Sequence, residues 1–229
     1  VEGALAALRS SATLGSLSDA ALTALAAKMR RLQVARNSVI FSYQDEGDAV
    51  YLVVEGRVKV HLHDEEGREL ILADLGASAV FGEMSLLDDC PRSATVTASE
   101  TCLLATLSRA AMMEVIQEHP EVAMAFLQLL SRRLREADQV IFDLALRDVV
   151  ERLARMLLSA AVPHPTDSEW MIVDGLPSQS EIAARVGASR ETISRTFAHF
   201  RRIGLLAIEN RSTILTGAFI DRFDHLIGG

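Results

Sequence analysis

The sequence predicts an α+β chain: a β roll of short strands, then one long helix, then a winged helix-turn-helix. Three observations predict it. Short apolar runs, punctuated by glycines at 47, 56, 67, 76 and 82, fill the first half. Such runs with glycine-bearing turns suggest an antiparallel barrel or jelly roll. Apolar residues then recur at alternating spacings of 4 and 3 from Ala123 to Leu144. Finally, two short helical patterns meet at Gly187.

Taken in order, residues 1–35 read as helical, because Leu14, Leu17, Leu22, Leu25 and Met29 recur at roughly helical spacing. From Ser38 the pattern turns strand-like, with runs at 39–41, 49–54 and 58–62, and the strand part ends near Leu107. A short helix is expected over about 109–118. Pro120 suits the start of the long helix. The seam Ala123, Leu127, Leu130, Leu134, Ala137, Ile141 and Leu144 is an a/d heptad pattern. A stripe this narrow favours a homodimeric coiled coil over a helix packed only on its own roll. Asp148 and Glu151 have capping-box spacing, so a new helix is expected from there to about Ala161. Leu146-Arg147 is the candidate hinge, and 162–168 reads as a turn-rich loop. The resulting division is 1–119, 120–147 and 148–229.

The run from Phe81 to Val96 concentrates the chemistry of the first segment. Arg92 can fork-bind a phosphate, and Ser93 with nearby N–H groups can complete the cradle. Glu83 can accept a hydrogen bond from a ribose hydroxyl, and Gly82 permits close backbone approach. Met84 and Ala94 are the small and apolar residues beside them. This run, with the segment 46–60, resembles the cyclic-nucleotide-binding domain of the CRP/FNR family of bacterial transcription regulators. The resemblance implies a jelly-roll sensor domain over 1–119, a dimerisation helix, and a DNA-binding domain over 148–229. It also implies Arg133 as a contact to the purine, with two further contacts falling at Ala137 and Asp138. Both depart from the cyclic-AMP pattern. Ala137 cannot hydrogen-bond an adenine amino group, whereas Asp138 could accept from the N1–H and N2–H₂ of guanine. Alternatively, Asp138 pairs with Arg135 on the helix surface. Cyclic AMP stays first on resemblance, and cyclic GMP is the alternative.

In the second constellation, Ile182, Ala183 and Val186 form the inner face of one short helix, and Gly187 allows the turn. Ser189 can cap the next helix, which turns Ile193 and Phe197 inward. Hydrophobic residues from Ile203 to Leu215 suggest a hairpin wing. Arg190, Glu191 and Arg195 lie on the exposed face. Arginine can read guanine O6 and N7, and glutamate can accept from cytosine N4. Thr192 and Ser194 could contact phosphates. The phrase Ala188-Ser189-Arg190-Glu191-Thr192 resembles the recognition helix of the catabolite-activator branch. That implies a pseudo-palindromic operator with half-sites near TGTGA, and RNA polymerase as a further partner.

Net charge is −8, which argues against nucleic acid only if averaged over the chain. Residues 178–211 carry six arginines (185, 190, 195, 201, 202 and 211) against three glutamates. Local phosphate neutralisation, not the total, governs DNA binding. No apolar run reaches the roughly 18 residues that span a bilayer. No secretory signal pattern is present, so a cytoplasmic protein without membrane contact is expected. Two cysteines, Cys90 and Cys102, are too few for an iron–sulfur cluster. His61 and His63 share one strand face and read as a solvated pair, so no metal is expected. No metal-binding carboxylate cluster or nucleophile–base pair supports an enzyme acting on nucleotides. A DNA-binding protein that ignores nucleotide is the remaining rival.

Overall fold

The computed structural model describes residues 2–167, 169–209 and 212–226. Two compact units divide within the long helix, Val1–Arg135 and Glu136–Gly229.

In the first unit, helices α1 (Glu2–Ser10) and α2 (Asp19–Lys28) precede strands β1 (Arg30–Val34), β2 (Val39–Phe41), β3 (Ala49–Glu55) and β4 (Val58–His63). Then follow β5 (Glu69–Leu75), β6 (Val80–Phe81), helix α3 (Glu83–Asp88), β7 (Thr95–Ala98) and β8 (Cys102–Ser108). Helix α4 (Arg109–Glu118) leads into α5 (Glu121–Leu146). The strands form two antiparallel sheets ordered β1-β8-β3-β6 and β2-β7-β4-β5. Strand β3 shows why a strand here need not alternate polar and apolar residues. Val50 and Leu52 face the helices, while Tyr51 and Val53 face the interior of the roll. Both faces are covered, so both are apolar.

Residues 30–34 correct the helical expectation. Helix α2 stops at Lys28, and the next five residues pair along β8 from Arg30↔Thr106 to Val34↔Cys102. Long-range pairing overrides local helical propensity there. The capping signal at Ser18, whose side chain accepts from the Ala21 N–H, marks the true start of α2.

Helix α5 packs on the roll through Val122, Ala125, Phe126 and Leu129, a different face from the heptad seam. Leu127, Leu134, Ile141 and Leu144 of the seam are exposed, three of them by more than half.

The second unit begins with the end of α5 and continues with α6 (Val149–Ala160), β9 (Val162–Pro163) and β10 (Met171–Val173). Helices α7 (Gln179–Val186) and α8 (Arg190–Arg202) follow, then β11 (Leu206–Glu209), β12 (Ser212–Leu215), α9 (Gly217–Phe223) and a 3₁₀ turn at Asp224–Leu226. Asp148 and Glu151 make the capping box, each side chain bonding the other's backbone N–H. Asp143 receives both Arg147 and Arg155, which braces the link into α6. The expected loop at 162–168 holds the short strand β9, because Val162 and Pro163 pair with Ile172 and Met171; Ser168 lies outside the described residues. Strands β11 and β12 form the wing hairpin. Leu153, Leu157, Ile182, Ile193, Phe200 and Phe219 are fully or almost fully buried in this unit's core.

Candidate functional sites

A cavity of about 360 Å³, counted with its open mouth, lies beside the start of α3 in the first unit. Its lining includes Gly82, Glu83, Met84, Ser85, Arg92, Ser93, Ala94 and Arg133, with Phe41 and Phe81. Gly82 caps α3 at φ +77°, and a Cβ there would stand 2.8 Å from Arg92 Nη1. Only glycine takes this conformation without strain while letting the guanidinium in.

Arg92 is 3% exposed. Its Nη1 donates to Gly82 O at 2.8 Å and to Ser85 Oγ at 2.9 Å, and its Nη2 to Ala49 O at 3.0 Å. Its guanidinium carbon stands 4.2 Å from the centre of the Phe41 ring. Tyr51, whose ring centre is 5.6 Å from the same guanidinium carbon, stacks on Phe81 at 5.0 Å. Burial pulls the Arg92 guanidinium below its ordinary pKa, against the opposing pull of Tyr51, Asp48, Asp45 and Glu83. An arginine stays charged at neutral pH regardless, so the site holds a fixed, largely desolvated cation.

Glu83 is wholly buried. Arg133, from α5, donates to Glu83 Oε1 through Nη1 and to Val80 O through Nη2. Two polar atoms of this cavity's residues have no partner: Arg92 Nε, a donor, and Glu83 Oε2, an acceptor. Buried polar groups are nearly always satisfied. An unpaired donor on a cation and an unpaired acceptor on an anion, on two residues that line one cavity, suit a ligand with both an anionic group and a hydroxyl.

Ser93 is exposed, with its hydroxyl 3.5 Å from Met84 Sδ, and Ala94 is buried. Ala137 and Asp138 are exposed and fall in the second unit. Asp138 has no ion pair among the described residues, and Arg135 donates to Ser131 Oγ instead.

Gly47 stands directly against Arg92, a contact that sequence reasoning missed. A Cβ at Gly47 would meet Arg92 Nε at 2.5 Å and would crowd Ser85 Oγ. The signal was there in Glu46-Gly47-Asp48, where a glycine sits between charges just before a strand.

In the second unit, α7 ends at Gly187, φ +68°, and α8 begins at the Ser189 cap. Ser189 Oγ accepts from the Thr192 N–H at 3.2 Å and pairs with Thr192 Oγ1 at 3.0 Å. Arg152 fixes the turn by donating to Val186 O and Gly187 O. The inner face of α8 is Ile193, Thr196 and Phe200. That burial leaves Arg190, Glu191, Ser194 and Arg195 exposed. Arg195 Nε lies 3.4 Å from Glu191 O, along its own helix. Arg185 pairs with Glu181 at 2.7 Å, so the local positive charge rests mainly on α8 and its end. Arg211 lies outside the described residues.

The chain matches the cyclic nucleotide-binding domain over residues 31–119 and the Crp-like helix-turn-helix domain over 151–217. It is 32% identical over 197 residues to the CRP-like cAMP-activated global transcriptional regulator of Mycobacterium tuberculosis, covering 86% of this chain and 88% of that one. This chain belongs to the CRP/FNR family of transcription regulators. It is 33% identical to the cAMP-activated regulator CRP of Haemophilus influenzae, over 80% of this chain and 82% of that one. Among solved structures it resembles the c-di-GMP responsive regulator CLP of Xanthomonas campestris, with TM-score 0.75, 25% identity, and coverage of 87% and 99%. The catabolite activator protein of Thermus thermophilus aligns at TM-score 0.55 and 29% identity, over 96% and 97%. The protein is thus a DNA-binding regulator with a cyclic-nucleotide-binding domain, and not an enzyme. Among the described residues no helix is long and apolar enough to cross a membrane.

Proposed function

We propose that the effector is a cyclic mononucleotide, cyclic AMP in the first place, held between Arg92 and Glu83. The unpaired Arg92 Nε and Glu83 Oε2 carry this reading. The phosphate takes the Arg92 donor with help from Ser93, and the ribose hydroxyl donates to the free Glu83 oxygen. Arg133 holds the other Glu83 oxygen and stands ready beside the base. The relatives named as cAMP-activated support the same ligand.

The exposed seam of α5 supports a homodimer, since leucine and isoleucine faces of this size are covered in stable proteins. In that dimer the two α8 helices read successive major grooves of a pseudo-palindromic operator, roughly one DNA turn apart. Arg190 and Arg195 read guanine, Glu191 reads cytosine, Thr192 and Ser194 stand at the phosphate, and Ser189 caps the helix beside them. Nucleotide binding acts through α5 and the Leu146-Arg147 link by favouring the DNA-competent arrangement. RNA polymerase is the further partner proposed. A second reading, on the chemistry of Asp138 alone, is cyclic GMP, because a carboxylate can accept from guanine N1–H and N2–H₂.

The test is anisotropy of a labelled duplex bearing two TGTGA half-sites, with and without cyclic AMP. The reading requires tighter DNA binding with nucleotide. Equal affinity in both conditions would instead make the protein a constitutive DNA binder.

A further inference from the structure

The hairpin of β4 and β5 carries a cluster that neither the cavity nor α8 uses. His63 and Glu69 are cross-strand partners next to the turn, and His61 lies two residues farther along the same strand. A bulge between Val60 and His61 re-aims the strand at that point. One donor atom from each of the three residues lies within 4.8 Å of the others. Glu69 Oε1 is 3.2 Å from His61 Nδ1 and 4.0 Å from His63 Nε2.

The reading of the two histidines as a solvated pair fails for His61, which is only 5% exposed. Its Nε2 is 2.9 Å from Thr97 Oγ1 on the neighbouring strand, which fixes the ring. Its Nδ1 is buried and makes no hydrogen bond, although the Glu69 carboxylate is close. In the tautomer that donates Nε2–H to Thr97 Oγ1, Nδ1 presents a lone pair to a carboxylate oxygen. Two electron-pair donors face each other, and a cation between them would bind both.

We propose that His61 Nδ1, His63 Nε2 and Glu69 form a binding site for a divalent transition-metal ion of the zinc class. Two imidazole nitrogens and one carboxylate suit zinc better than calcium or magnesium, which favour all-oxygen shells. Three protein ligands leave a fourth position for water or an exogenous group. Thr97 supplies the outer partner that orients a metal-bound histidine. A bound ion would tie the two strands together beside the hairpin turn. The ammonium of Lys59, 2.5 Å from Glu69 Oε1, now neutralises that carboxylate and competes with the ion.

The competition makes the proposal testable in both directions. The untagged full chain is titrated with Zn²⁺ against a chromophoric chelator, alongside His63→Ala, Glu69→Gln and Lys59→Met. The expected result is one ion per chain, affinity weakened by about tenfold or more in the first two variants, and affinity strengthened in Lys59→Met. Cyclic AMP binding should be unchanged in all three, which separates this site from the nucleotide cavity. The absence of stoichiometric binding would overturn the proposal. Equal affinity in wild type, His63→Ala and Glu69→Gln would also overturn it, by placing the ion elsewhere.

Discussion

The roll cavity and helix α8 both present arginine and glutamate, in opposite physical settings. Arg92 and Glu83 are buried and largely satisfied by the protein, with one donor and one acceptor left over. Arg190, Glu191 and Arg195 stand exposed on one helix. A buried charge that loses its partner is costly, on the order of 3–5 kcal/mol. An exposed base contact is worth about 1–3 kcal/mol and adds to others. The cavity should therefore respond to a single change almost completely, and the helix by degrees.

Arg92→Ala is the strongest way to break that contrast. It should abolish nucleotide binding, a loss of at least about two orders of magnitude, while leaving a dimer by ultracentrifugation. Retained nucleotide response in that variant would remove Arg92 from the site. Arg190→Ala comes next: operator affinity should fall roughly 10- to 100-fold, and nucleotide titrations should be unaffected. Salt sharpens the same distinction. Operator affinity should drop steeply between low and moderate salt because DNA binding releases counterions. Nucleotide affinity should change far less, since Arg92 is shielded from bulk ions. Equal salt slopes for the two ligands would contradict the different settings of the arginines.

Leu134→Glu with Ile141→Glu tests the proposal that the exposed α5 seam joins two chains. These exposed positions should leave each unit folded but shift the dimer toward monomer in ultracentrifugation at micromolar concentration. The smallest effect belongs to Asp148→Ala, which removes the α6 capping box and should cost about 1 kcal/mol. It would appear as a lower thermal midpoint, with nucleotide affinity unchanged.

Much of the molecule was legible because local chemistry and tertiary role coincide. The Asp148 box, the Ser189 cap and the Gly187 turn are short-range devices, and each lies where its residues imply. The heptad seam was legible for the same reason, and Leu127, Leu134, Ile141 and Leu144 stand exposed along it. Strand β1 was not, because Arg30–Val34 becomes a strand only by pairing with β8, some seventy positions away. Gly47 escaped notice because its close neighbour, Arg92, is remote in sequence. Arg133 was expected at the base, yet its hold on Glu83 is a contact between α5 and the start of α3 that no spacing reveals. The burial of His61 was hidden likewise. Alternation placed it beside His63, but Thr97 and Glu69, which surround it, come from two other strands.

The central claim is that the two unpaired atoms, Arg92 Nε and Glu83 Oε2, mark a cyclic-nucleotide site. Calorimetric titration of the purified protein with cyclic AMP, then cyclic GMP, tests it most directly. The account predicts saturable binding of one nucleotide per chain, with cyclic AMP the tighter, and no heat of binding in Arg92→Ala. A preference for cyclic GMP would keep the site and make Asp138 its specificity residue. Binding of neither nucleotide to the wild-type protein would contradict the claim.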